Sequence, residues 1–207
     1  MGRGRWNLFL RDRRPLIVRH AIGADAPSVL AHRDVVCAET DFLSFGPGER
    51  ERTVDWQAEI LSELERSEVQ IQLLAFVGAP ASPGSSTDSP QLVPAAAGSA
   101  EPDASALVGA LAFTTRDLPR LRHSGEIGMT VRKAYWGLGV GAHLMGCLLE
   151  WARAHREIRK LNLRVRTDNA RAIRLYERQG FQIEGTIACD FSVGGVDYDH
   201  HWMGLRL

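Results

Sequence analysis

Cysteine is scarce in this chain. Its three cysteines, Cys37, Cys147 and Cys189, are odd in number, widely spaced and free of CxxC or Cys/His spacing. That argues against a disulfide framework or a thiolate metal site, and suits a reduced, cytoplasmic compartment. Net charge is also lacking. Lys+Arg and Asp+Glu each number 25, so bulk charge gives no reason to expect a nucleic-acid partner or adhesion to anionic lipid. No apolar run approaches a membrane span, and the patch at 8–10 is too short for a signal-peptide core. Gly2 follows Met1, yet Trp6 stands where a myristoylation signal needs Ser or Thr. Residues 1–14 set Arg3, Arg5, Arg11, Arg13 and Arg14 against Asp12, and are expected to form a flexible basic arm.

What is present is core material. The 207 residues are 44% hydrophobic and 24% charged, the balance of a soluble globular domain, here expected over 15–207. Leu16-Ile17-Val18 reads as a first strand, followed by a helix opening at Asp25-Ala26-Pro27. Val54, Ala58, Leu61 and Leu64 recur at helical spacing after a Gly-Pro-Gly break. Apolar runs at 71–77 and 107–114 read as strands. Between them, residues 80–105 are almost wholly Pro, Ala, Ser, Gly and acids, with too little apolar bulk to offset their ordering entropy, so a disordered insertion is expected. A strand at 126–131, a helix from Gly139 to about His155 and a strand at 161–166 follow. Asn169 to Gln179 reads as a helix closed by Gly180, and strands at 187–193 and 196–205 flank Gly194-Gly195. The order β, α, α, β, β, β, α, β, α, β, β implies a mixed sheet with helices on both faces.

Three glycines, Gly137, Gly139 and Gly141, crowd the turn between the strand ending at Val131 and the next helix. That helix has an inner face of Val140, Leu144, Leu148 and Trp151, which aims its N-terminus at the strand end. Unpaired N–H groups and the helix dipole make such a terminus an anion site, and glycines let the anion approach. Tight packing of helix on strand would use the same residues, so spacing alone leaves both readings open. The Gly-Lys-Ser/Thr ending of a Walker A loop and the spacing of a dinucleotide fingerprint are both missing.

The run EIGMTVRKAYWGLGVGAHLMGCLLEWA, followed by LNLRVRTDNARAIRLYERQGF, resembles the two central motifs of the GNAT superfamily of acyl-CoA-dependent N-acetyltransferases. Trp136, Gly137, Leu138, Gly139, Val140 and Gly141 stand at that family's Gln/Arg-x-x-Gly-x-Gly/Ala pattern, with Trp136 departing from the usual Gln/Arg. Asn169, Tyr176, Gly180 and Phe181 match the second motif. The resemblance implies an α/β (α+β) fold: a mixed, mostly antiparallel twisted sheet of about seven strands, about four helices on both faces, and strands splayed at the acyl-CoA site. It implies acetyl-CoA as co-substrate, with its diphosphate on the N–H groups of residues 138–141. Met129 and Val131 would pair with the pantetheine, the Met129 N–H would polarise the thioester carbonyl, and Asn169, Ala172 and Tyr176 would border the cofactor. The acetyl group would pass directly to a primary amine, of a small molecule or a protein, in a ternary complex. The alternative is a non-catalytic acyl-CoA-binding sensor with the same fold.

An amine with an ordinary pKa near 10.4 is mostly protonated at neutral pH, so a proton acceptor is needed. Glu126, on the strand that would carry the thioester, is the candidate base, re-aimed by a bulge or acting through water; His123 is the reserve. Tyr176 is the candidate acid for the departing sulfur. Asn169 has equally the chemistry of a helix N-cap. Cys147 falls within a helix, in a sequence that offers no local Cys-His pairing, and reads as packing rather than a nucleophile. Alternation places Asp197, Asp199 and His201 on one strand face, which suits a polar wall better than a metal site. Monomer and homodimer both remain open on the sequence alone.

Overall fold

The computed structural model describes residues 4–49, 51–77, 107–116 and 118–207, together with the backbone of 91–94. Strands β1 (Gly4–Phe9) and β2 (Pro15–His20) form a hairpin, and helices α1 (Ala26–Glu39) and α2 (Val54–Arg66) follow. Strands β3 (Ile71–Val77), β4 (Gln91–Pro94), β5 (Leu107–Thr115) and β6 (Ser124–Val131) precede helix α3 (Val140–Ala154). Strand β7 (Lys160–Arg166), helix α4 (Ala170–Arg178) and the hairpin of β8 (Gln182–Val193) and β9 (Val196–Arg206) complete the order. The nine strands form one sheet, β4-β1-β2-β3-β5-β6-β7-β9-β8. All its described pairings are antiparallel except β6 with β7, which the α3 crossover joins in parallel.

Alternating side chains of β3 divide the core. Ile71, Leu73 and Ala75 belong to the larger cluster under α3, whereas Leu74 and Phe76 join Ala26, Val29 and Leu61 under α1 and α2. On β7, the alternation of Leu161, Leu163 and Val165 likewise faces the α3 side. No helix among the described residues is long and apolar enough to cross a membrane.

Two strands exceed the expected seven. Within the expected basic arm, residues Gly4–Phe9 are a strand registered on β2. Trp6 and Leu10 bury their side chains, and the Trp6 indole donates to Glu150 of α3 at 3.0 Å. Apolar anchors one strand period apart or more, set among glycines and arginines, are enough once a neighbouring edge is available. Within 80–105, residues Gln91–Pro94 form the edge strand β4 against β1, and the remainder of that expected insertion lies outside the described residues. Strand β8 also begins five residues before the expected 187, because β9 supplies a partner that β8 cannot find in its own sequence pattern.

Candidate active site

Strands β6 and β7 are paired only at Ser124↔Lys160, Gly125↔Leu161 and Glu126↔Asn162. Beyond that point residues 127–131 stay registered on β5 but have no paired neighbour on the other side among the described residues, so the sheet is splayed. Two hydrogen bonds establish which backbone groups face the gap. The Arg132 N–H donates to the Val108 carbonyl of β5 at 2.9 Å, and the Gly125 carbonyl accepts from Asn162 of β7 at 3.1 Å. Backbone groups alternate along a strand, so Ile127, Met129 and Val131 turn theirs into the opening. The Met129 N–H therefore points into a gap that an extended ligand could fill as an added strand. At Val131 one lone pair of the carbonyl is already engaged, because the Trp136 indole donates to it at 2.7 Å.

The chain then makes a short 3-10 turn over Lys133–Tyr135 and enters α3 through glycine. Gly137 has φ +82 and Gly139 φ +102, the left-handed region in which a side chain is strained. Gly141 has another reason: a Cβ there would lie 3.1 Å from Leu175 and 3.4 Å from Met129. Turn geometry and close packing thus both hold, at different glycines. The expected donor set moves one residue along. The Leu138 N–H turns back to the Tyr135 carbonyl at 3.4 Å, leaving Gly139, Val140, Gly141 and Ala142 without a backbone acceptor among the described residues. Four adjacent N–H groups at the positive end of a 15-residue helix, bared by glycine and opening on the splay, fit a diphosphate.

On the same side of the sheet, the Asn169 side chain caps α4 by accepting from the Ala172 N–H at 3.1 Å. Both residues thus spend backbone-binding capacity on the cap; a ligand would meet the Asn169 amide NH₂ and the Ala172 methyl. Tyr176 is buried against Phe181, ring centroids 6.0 Å apart, and burial pushes its phenol up to about 12. Among the described residues its hydroxyl has no hydrogen-bond partner. Trp136 carries the Arg171 guanidinium 4.8 Å above its ring.

The opposite face of β6 carries Glu126, Gly128 and Thr130. A Cβ built on Gly128 would meet nothing within 4 Å among the described residues, which leaves that face of the strand open to approach there. Strand β6 has no register shift, and the bulge that would re-aim Glu126 is absent from its pairing with β5. Glu126 accepts from Arg164 Nε at 2.9 Å; Arg164 Nη1 lies 3.7 Å from Asp190, and Asp190 lies 3.1 Å from His200 Nδ1. Burial is the main influence lowering the His200 pKa, with Asp190 opposing it. Thr130 Oγ1 lies 3.0 Å from His32 Nε2 of α1, and burial pushes that imidazole down to about 4. None of Arg164, Asp190, His200 or His32 is signalled by a local motif. Arg164 and Glu126 are 38 residues apart, and only the parallel register of β6 on β7 joins them.

Other candidates fall outside this site. His123 lies beyond the paired end of β6, its carbonyl accepting from Arg159 and Lys160, roughly 20 Å along the strand from Met129. Cys147 is buried and its thiol pushed up to about 12 by that burial, so no thiolate nucleophile is available. Asp199 accepts from the Cys189 N–H at 3.0 Å and His201 Nδ1 lies 2.9 Å from Thr186 Oγ1, so these residues close the β8–β9 hairpin.

The model of the Acetyltransferase (GNAT) family matches residues 70–181, just over half of the chain. The L-amino acid N-acetyltransferase of Escherichia coli (strain K12) is 34% identical over 80 residues, a match covering 39% of this chain and about half, 49%, of that relative. A GNAT-family acetyltransferase from Streptococcus pneumoniae superposes with a TM-score of 0.78 at 28% identity, over 93% of this chain and 99% of that one. An acetyltransferase from Salmonella typhimurium, solved with acetyl-CoA, shares the fold at a TM-score of 0.69 and 18% identity, over 93% and 94% of the two chains. With the splayed strands and the glycine-bared helix terminus already in place, the chain belongs to the acetyltransferase (GNAT) family.

Proposed function

We propose that this enzyme transfers the acetyl group to a primary amine by direct attack in a ternary complex, without an acyl-enzyme. The observation that carries this is the two-sided access at β6: the Met129 N–H faces the gap, while Gly128 leaves the other face open beside Glu126. Acetyl-CoA supplies an activated thioester. The Gly139 to Ala142 N–H groups hold its diphosphate, and the Met129 N–H donates to the thioester oxygen where negative charge develops. Glu126 is the base. It lies about 10 Å along the strand from Met129 and on the opposite face, so it receives the amine proton through water. Arg164 holds that carboxylate in place at 2.9 Å. A neutral amine is required, and obtaining one from a lysine-like amine at neutral pH takes roughly 4 kcal/mol, which the base and partial desolvation offset.

Tyr176 acts on the sulfur side. With its phenol at about 12, full proton transfer to a thiolate of ordinary pKa near 8.5 would run uphill by roughly 5 kcal/mol. Its contribution is therefore a donated hydrogen bond to the leaving sulfur. For the acceptor, the relative that acts on L-amino acids makes a free α-amino acid the first amine to test. Purified protein incubated with acetyl-CoA and a panel of amino acids, polyamines and peptides should release free thiol and give an acetylated product by mass spectrometry. Silence across the panel would overturn the proposal, and thiol release from a stable acetyl-enzyme without amine would overturn its direct mechanism.

A further inference from the structure

The β1–β2 turn is locked onto the glycine loop. The Arg11 N–H donates to the Leu138 carbonyl at 3.0 Å, the Arg11 guanidinium donates to the Gly137 carbonyl at 3.2 Å, and His143 Nε2 of α3 lies 3.0 Å from the Phe9 carbonyl. The Arg14 guanidinium lies 5.0 Å over the Tyr135 ring, within the same loop. Residues 11–13 form a three-residue hairpin loop: the Leu10 N–H donates to Arg14 and the Arg13 N–H to Leu10, both at 2.9 Å, and Arg13 occupies the left-handed position at φ +66. Glycine is the residue that position favours, and here it holds an exposed arginine.

Charge in this turn is unbalanced. Its one acid, Asp12, is bridged to Arg14 at 2.7 Å. Arg11 and Arg13 have no carboxylate partner among the described residues, nor does Arg171 on the other side of Gly137. In a chain whose charges sum to zero, the Arg11 and Arg171 guanidinium groups flank the glycine loop without a carboxylate partner, and exposed Arg13 follows in the same turn as Arg11. The diphosphate already has its donors in the N–H fan of residues 139–142. The Arg11 guanidinium is held on the Gly137 carbonyl, two residues before the first N–H of the fan, so its charge is offered to a separate anion.

We infer that the β1–β2 turn, through Arg11 and Arg13, is the binding site for the ribose 3′-phosphate of coenzyme A. This rests on the reading of residues 139–142 as the diphosphate cradle. Coenzyme A carries one phosphate monoester beyond its diphosphate, and a guanidinium pair suits such a group. The inference gives the N-terminal arginines a ligand that bulk charge could not indicate.

The test is calorimetric titration of the intact enzyme with coenzyme A and with 3′-dephospho-coenzyme A. The wild type is expected to bind coenzyme A about tenfold more tightly, the worth of one charge-assisted hydrogen bond at about 1.4 kcal/mol. Arg13→Gly, which relieves the left-handed residue while removing its charge, should bring that ratio down toward one by weakening coenzyme A alone. Arg11→Gln should do the same, and rising salt should shrink the wild-type ratio. Equal affinities in the wild type, or a ratio that neither substitution moves, would overturn the inference while leaving the cradle standing. Failure to bind either compound would overturn the cradle as well. Retention of the wild type on DNA at low salt, lost in Arg13→Gly with an unchanged coenzyme ratio, would reassign the turn to nucleic acid.

Discussion

Replacing His32 with glutamine keeps a donor near the position of Nε2, 3.0 Å from Thr130 Oγ1, but removes the proton site. The native imidazole is pushed down to about 4 because it is buried, with 5% of its surface exposed. In the unfolded chain the same group titrates near 6.5. Between those values the unfolded state binds the proton and the native state does not, so stability rises with pH through this window. His32 therefore contributes nothing adverse above about pH 7. On acidification it weakens the native state by about 2 kcal/mol at about pH 5 and about 3 kcal/mol at about pH 4. Urea titrations followed by tryptophan fluorescence at several pH values measure this directly. The expected result is a wild-type stability curve that falls more steeply on acidification than that of His32→Gln, the gap between the two widening by those amounts while m-values agree. Parallel curves, or a native His32 resonance titrating near 6.5, would refute the argument that burial rather than solvent governs this ring.

Glu126→Gln should lower kcat on the order of a hundredfold in steady-state assays, with coenzyme A affinity by calorimetry unchanged. Tyr176→Phe, which removes a hydrogen bond rather than an obligatory proton, should slow turnover only about tenfold; a loss beyond about a thousandfold in steady-state assays would make it a true acid. Gly139→Glu adds a strained side chain at φ +102 and a negative charge at the cradle, and should raise the KM for acetyl-CoA by about a hundredfold or more, an unchanged value returning this loop to plain packing.

Local patterns made much of the framework legible. Period-two alternation at Leu161, Leu163 and Val165 and helical spacing at Val140, Leu144 and Leu148 correctly identified β7 and α3, because each pattern repeats within one element and faces one core. The WGLGVG turn was likewise local: Gly137 and Gly139 have left-handed backbones that few other residues tolerate. At Asn169 two readings remained open, and the cap at Ala172 was decided by the first turn of α4.

Composition was misleading at the N-terminus. Arginines and glycines in residues 1–14 suggested a solvated arm, yet Trp6 finds Glu150 at a separation of 144 residues and Arg11 finds Gly137 at 126. Such contacts depend on which edge the sheet presents, a property that no window of sequence contains. The same holds for the chemistry. The sequence by itself determined the helices, the strands with a repeating apolar pattern and the glycine turn, since these follow from backbone sterics and side-chain type. Only the tertiary structure decided that β6 parts from β7 after Glu126, that Met129 turns its N–H into the gap, and that Arg164 holds the carboxylate, since each depends on strand register between segments brought together by folding.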